Sequence, residues 1–381
     1  MLPTLIPLYF VEYLKGSIFD FGVMSAISTL FSALTSLYAG QLPEKYRKVK
    51  PFIVISFLLS SIFLFALTKA SNIYFFQIFY ILLGVANSIY PPSARILIAE
   101  KYQKADWSKI FAQHNLIVGL SNTLGLAICS LYVTGLGYGA LLSICVPLVF
   151  ISFLVALVVV NDPPIYVERW LSRVSRVAAD VESFSYWLGN KGSAGRFGLK
   201  PTVDMALFGL GTLIFTLASS AFGSSLSIFF SSVVLMSPPT IFTIFFGRSL
   251  IGSISYIVVG RLIGEEGGKN AVKVASITRA VLVFLLPFLV FLPQLVPIVA
   301  VSLLSAVNFS WSLYSLGYST VIIDYATEGS TGVYDALGSF GSVVGALLSG
   351  IIPAMFSFNL LFMLASAMFL IAFLIFWKSI S

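Results

Sequence analysis

The stretch "SLYAGQLPEKYRKVKPFIVI", Ser36 to Ile55, packs five charged residues into the seven from Glu44 to Lys50, between two apolar runs. A chain that changes character this abruptly is leaving an apolar layer and returning to it. Runs close to the ~20 residues needed to cross a bilayer recur along the whole sequence. Of 381 residues, 58% are hydrophobic and 10% charged, where a soluble domain carries about 25% charge. The chain therefore reads as a polytopic membrane protein. A transmembrane barrel would alternate polar and apolar residues in segments of ~10, and that pattern is absent, so the fold class is all-α.

Reading apolar runs between charged or Pro/Gly/Asn punctuation predicts about twelve spans: 1–14, 19–41, 50–69, 73–97, 108–133, 138–161, 204–233, 238–262, 271–291, 294–320, 332–353 and 357–377. Lys and Arg crowd the loops after even-numbered spans and the C-terminal end, as at Lys45, Lys48, Lys101, Lys104, Lys269 and Lys378. The loops after odd-numbered spans hold Lys15 and Lys69 alone. By the positive-inside rule both termini are cytoplasmic and the chain sits in the plasma membrane as a multi-pass protein. The net charge of +7 is thus a matter of topology, and nucleic acid is not an expected partner. Cys129 and Cys145 have no CxxC or His neighbour and read as core residues.

A second stretch, "YIVVGRLIGEEGGKNAVKVA" from Tyr256, has the shape of the first. A shift of 220 residues carries Gly40 to Gly260, Leu42 to Leu262, Asn115 to Asp335 and Gly125 to Gly345. Two homologous six-helix bundles, 1–161 and 204–381, are expected, related by a pseudo-two-fold axis. Between them, residues 162–203 form the one long polar stretch. Its apolar residues from Val167 to Leu188 recur at three and four, with Arg169, Arg173 and Arg176 off the stripe. That pattern is an amphipathic linker helix on the inner membrane surface, or a lipid or partner signal.

The pattern "GQLPEKYRK" resembles the signature loop of the major facilitator superfamily (MFS), of form G-x-L-a-D-r-x-G-r-[KR], and "GRLIGEEGGK" resembles its copy in the second half. The stretch "SIYPPSARILIAEKYQKADWSKIFAQHNLIVGLSNTLG" is also similar to that family. The resemblance implies an MFS-type fold and alternating access. It assigns a cytoplasmic gate to Gly40, Glu44, Lys45, Lys48, Gly260, Arg261 and Asp335, with Gly allowing a tight turn and Glu44 resting on the positive end of a helix. Positive-inside anchoring is the plainer reading of the same charges. Glu44 stands where the family has Asp, and Arg47 where it has Gly. Against the seventh span, the first is short at its cytoplasmic end, and an upstream start is expected.

Ionisable groups inside a membrane are costly and default to functional candidates. At ~1.5 Å per residue, Arg248 lies about 13 Å into the eighth span, and Arg279 about 12 Å into the ninth, a second candidate. His114, the one histidine, is of a type that exchanges a proton near neutral pH, or it makes a structural hydrogen bond. In "VNFSWSLYSLGYS", Asn308, Trp311 and Tyr314 fall at helical spacing and either line a cavity or pack. Gly338, Gly341, Gly345 and Ser349 form a small-residue stripe expected to let one bundle pack on the other. Carboxylates fall at span ends, none at a midplane.

Together with the resemblance, these residues imply a gradient-driven transporter of a small molecule, expected to be a monomer needing no cofactor or metal, with protons or another ion as coupling partner. An arginine without an acid tips the substrate toward an anionic or polar metabolite. A drug-type proton antiporter is the alternative, and a non-transporting receptor or scaffold of the same fold is the alternative from another class. Neither "GLGYG" nor "GEEGGK" has the context of a phosphate loop, and an enzyme would need clustered catalytic groups.

Overall fold

Several helices begin where a short polar side chain takes up the free N–H groups of a first turn. Asn72 accepts from Tyr74, Asp204 from Ala206 and Leu207, and Ser357 from Leu360. The computed structural model describes residues 1–46, 48–102, 107–162, 203–262, 267–291, 295–325 and 331–380. The expected amphipathic linker helix lies outside the described residues, as do the side chains of Glu44, Lys45 and Arg261.

In chain order the helices are α1 (Leu2–Leu8, carried on by a π-turn at Tyr9–Tyr13), α2 (Ile18–Tyr46), α3 (Lys50–Lys69) and α4 (Ile73–Lys101). The run Trp107–Val159 breaks at Gly137 into α5 (107–136) and α6 (138–159). The second half holds α7 (Met205–Ser224, followed by a short segment Leu226–Ser232), α8 (Pro238–Leu262), α9 (Gly267–Leu285, then a 3₁₀ turn), α10 (Val296–Tyr325), α11 (Thr331–Met355) and α12 (Phe358–Ser379). By length and composition, 10 helical stretches among the described residues can cross a membrane, and one of them, Gln113–Val159, 47 residues long, runs through most of α5 and all of α6. The expected twelve spans are thus matched roughly.

Gly137 makes the α5–α6 turn with φ 75° and ψ 169°, a region open essentially to glycine alone. At the far end of α6, Asp162 accepts at 2.7 Å from the N–H groups of both Val49 and Lys50, so the α6 terminus caps α3. In the second half, Phe208, Phe215 and Phe222 recur every seventh residue along α7 and meet Phe369 and Phe376 of α12 at ring-centroid distances of 5.2–6.4 Å. Lipid tails are as apolar as these rings, so what holds them together is close packing rather than escape from water.

Two helix groups emerge from the packing. α2 lies on α4, and α3 on α4 and α6; α7 lies on α11 and α12, α9 on α10 and α12, and α8 on α10. The groups meet through α2 on α11 and α5 on α8. Gly22 and Gly350 are the crossing point of α2 and α11, where a Cβ on Gly22 would stand 2.4 Å from the Gly350 Cα.

Two expectations are corrected. The small-residue stripe of α11 packs inside its own group: a Cβ on Gly341 would meet Leu213 O at 2.3 Å, and one on Gly345 would meet Leu217 O at 2.2 Å, both on α7. The rotation of α11 about its axis turns that face inward, and Gly350, outside the stripe, carries the contact with α2. Gly40 and Gly260 are not turn residues either. Both lie within helices that run up to or past the predicted span ends, and nothing stands within 4 Å of a Cβ on Gly260. The charged residues beyond Leu42 continue α2 as a helix outside the apolar layer. Cys129 and Cys145 are both buried, as expected of core residues.

Candidate functional site

Arg248 sits in the middle of α8, where the chain reads "TIFFGRSLIGS" and offers the guanidinium no acid on its own helix. The neighbouring α10 supplies its partner. Arg248 Nε donates to Asn308 Oδ1 at 3.0 Å, and Asn308 Nδ2 donates back to the Arg248 carbonyl at 3.0 Å. The pair closes because residue 252 is glycine: a Cβ there would stand 2.7 Å from Asn308 Nδ2. The Nη groups of Arg248 have no protein acceptor among the described residues, and its Cζ lies 5.5 Å from the Phe245 ring centre. Asp20, at the start of α2, is occupied with Ser17.

Arg279 of α9 is the second guanidinium, 3% exposed. It donates to Ser310 Oγ at 3.2 Å, to Ser219 Oγ at 2.5 Å and to the Val307 carbonyl at 3.5 Å. Four rings surround it, Trp311 at 5.0 Å, Phe215 at 5.3 Å, Phe369 at 5.5 Å and Phe222 at 5.8 Å. A desolvated cation over an aromatic face gains up to ~2 kcal/mol, so the cage offsets much of the roughly 2.5–3.5 kcal/mol cost of a charge at a helix centre. The charge itself stays uncompensated. Among the described residues no carboxylate pairs with either arginine.

Both line one cavity of about 360 Å³, with Asn308, Trp311 and the hydroxyl residues Thr216, Ser219, Ser220 and Ser342. A smaller cavity of about 160 Å³ lies beside it, lined by Asn115, Gly119, Ser249, Ser253 and Tyr256 and sharing Asn308 and Trp311. The smaller one lies where α5 meets α8: Asn122 and Thr123 of α5 each donate to Ser249 Oγ at 2.9 Å, and Gly119 presses on Ser253.

Arg248, Asn308 and Trp311 thus line one cavity. Tyr314 does not join them: it is buried, stacked on Phe215 at 3.7 Å, behind Trp311. His114 bonds Tyr90 of α4 at 3.0 Å through Nε2, the structural alternative. Of the gate candidates, Lys48 is exposed and Asp335 accepts from Tyr318 at 3.0 Å. The cavity hydroxyls do not stand out in the sequence because serines are scattered through nearly every span; the one signal is the run "TLASSAF", three hydroxyls in five residues of α7. Among the described residues no group of three His, Cys, Asp or Glu could hold a metal ion.

A polytopic helical protein with a charged, polar cavity lined by α7 to α11, beside a smaller one where the two helix groups meet, has the form of a membrane carrier. The family model described as Major Facilitator Superfamily matches residues 1–334, and the chain belongs to that family of non-enzymatic transport proteins. One curated relative, the uncharacterized MFS-type transporter YhjO of Bacillus subtilis (strain 168), is 28% identical over 125 residues, 33% of this chain and 31% of that protein. The match spans about a third of that relative's length. Among solved structures, a point mutant of the nucleoside transporter NupG aligns with a TM-score of 0.78 at 13% identity, over 100% of this chain and 95% of that one. The human organic anion transporter MFSD10 (TETRAN) aligns with a TM-score of 0.62 at 16% identity, over 92% of this chain and 83% of that one. At such identities the likeness is one of fold.

Proposed function

We propose that the chain is a gradient-driven transporter of a small organic anion, working by alternating access as two bundles, 1–161 and 204–381, joined by 162–203, move against each other. In this reading the plasma membrane is its location, and the ends bearing Lys48, Lys101 and Lys378 face the cytoplasm by the positive-inside rule. One observation carries the substrate class: Arg248 and Arg279 share the lining of one cavity with no carboxylate among the described residues to balance them. Arg248 contacts the cargo through its free Nη groups, Asn308 holds it in place, and Arg279 contributes field from inside its aromatic cage. Coupling runs through protons or another ion, as symport or antiport. A cationic drug would meet two like charges here, which disfavours the exporter reading. That one neighbour carries organic anions agrees with this reading, but the cavity is its basis.

The test is a thermal-shift titration of purified protein with organic anions, beside Arg248→Ala. Anions are expected to stabilise the wild type. Arg248→Ala weakens this by about 10- to 100-fold, the worth of a charge-assisted hydrogen bond. Without ligand, Arg248→Ala melts higher than wild type, because an uncompensated charge has left the membrane. Stabilisation by cationic compounds in both proteins alike would overturn the anion reading.

A further inference from the structure

The walls of the larger cavity differ in hydrogen-bond sense. On α7 and α11, every hydroxyl that lines it has already spent its proton on a backbone carbonyl, which can only accept. Thr216 Oγ1 donates to Thr212 O at 2.9 Å and Leu213 O at 3.1 Å; Ser220 Oγ donates to Ser342 O at 2.8 Å; Ser342 Oγ donates to Gly338 O at 3.0 Å. Ser219 Oγ donates to Phe215 O at 2.8 Å and already accepts from Arg279. A hydroxyl whose proton is so bound offers the cavity lone pairs, and Thr216, Ser220 and Ser342 are the three that keep them available. From the other wall, α8 presents the Arg248 Nη groups, donors with no protein acceptor among the described residues.

We infer that the cargo is a hydroxylated organic anion, with its charged group toward Arg248 and its hydroxyl donors toward Thr216, Ser220 and Ser342. The inference rests on the anion reading above and deepens it. A plain fatty-acid-like anion would satisfy the arginine and leave three acceptors desolvated and unmatched, at a cost for each. An ammonium group would supply donors, but within the field of two guanidinium groups. Hydroxyls supply them without charge. A cavity of about 360 Å³ is of the size that takes small metabolites.

Three sets of probes of equal carbon number separate the two requirements: lactate, propionate and propane-1,2-diol; threonate, butyrate and threitol; gluconate, hexanoate and glucitol. Each is titrated by thermal shift into wild type, Arg248→Ala and Ser342→Ala. The expected result, in at least one set, is that the hydroxylated anion binds roughly tenfold or more tightly than either the bare anion or the neutral polyol. Ser342→Ala narrows the gap from both sides: the hydroxylated anion binds more weakly, and the bare anion binds as well or better because one unmatched acceptor is gone. A merely structural effect of that substitution would weaken both. If bare and hydroxylated anions bind equally, and both are lost in Arg248→Ala, the anion reading stands and this inference falls. If polyols bind as well as the acids and ignore Arg248→Ala, both fall. Silence across all three sets also overturns the inference.

Discussion

At the scale of single residues, the centre of the site is a side chain held by a glycine. Asn308 reaches Arg248 over a helix surface that has no Cβ at position 252. Gly252→Ala is therefore expected to act as Asn308→Ala does: each frees the Arg248 side chain and weakens anion binding by about tenfold, the scale of one hydrogen bond to a charged group. The double variant is expected to be no worse than the worse single, because both remove the same link. Additive losses in a titration series would show that Gly252 has some other role. The sequence revealed Arg248 because a lone charge in an apolar run is conspicuous, and Trp311 and Asn308 because they stand three residues apart in a polar, aromatic stretch of another span. Arg279 was harder to place, since the start of α9 is poorly marked. Tyr314 takes the packing alternative: a spacing of three turns a side chain about 60° around the helix at 3.6 residues per turn, and here it stacks on Phe215.

Among the elements, the α5–α6 hairpin depends on one residue. A Cβ placed on Gly137 would have nothing within 4 Å, so a methyl group would find space and still meet a forbidden backbone conformation. Gly137→Ala is expected to cost about 1–3 kcal/mol and lower the melting temperature. Gly135→Ala, in equally open space without the positive φ, is expected to leave it unchanged or raise it slightly. Equal melting temperatures for the two variants would mean that the turn relaxes freely. Helix existence was legible throughout from apolar runs of bilayer length. Helix ends were less so: α2 continues to Tyr46, past the predicted 41, because charged residues outside the membrane favour a helix as readily as they end a span. Which face of α11 met which neighbour was not legible at all. Small residues announce a close contact without naming the partner.

For the whole molecule, the Gly22–Gly350 crossing brings the two helix groups into backbone contact, and the proposed alternation would have to open it. Gly350→Leu overpacks that crossing, by roughly 1–3 kcal/mol. With Cys129 and Cys145 replaced by serine, spin labels on Phe19→Cys and Ala354→Cys are expected to lie farther apart in Gly350→Leu than in its parent, with slower anion uptake into proteoliposomes. An unchanged distance distribution would show that the crossing does not hold the closed arrangement. The pseudo-symmetry that predicted this architecture is visible in the packing: Gly125 of α5 faces the start of α1 as Gly345 of α11 faces α7. The one-residue joint at Gly137 also has a mechanical side. A hairpin with no slack at its bend behaves as a lever: when α5 tilts against α8 beside the cavity, α6 must swing with it. The far arm of that lever is Asp162, gripping the first turn of α3 next to Lys48. In the proposed alternation, a shift of α5 would thereby be passed on to the first turn of α3, whose Val49 lies 113 residues before Asp162 in sequence.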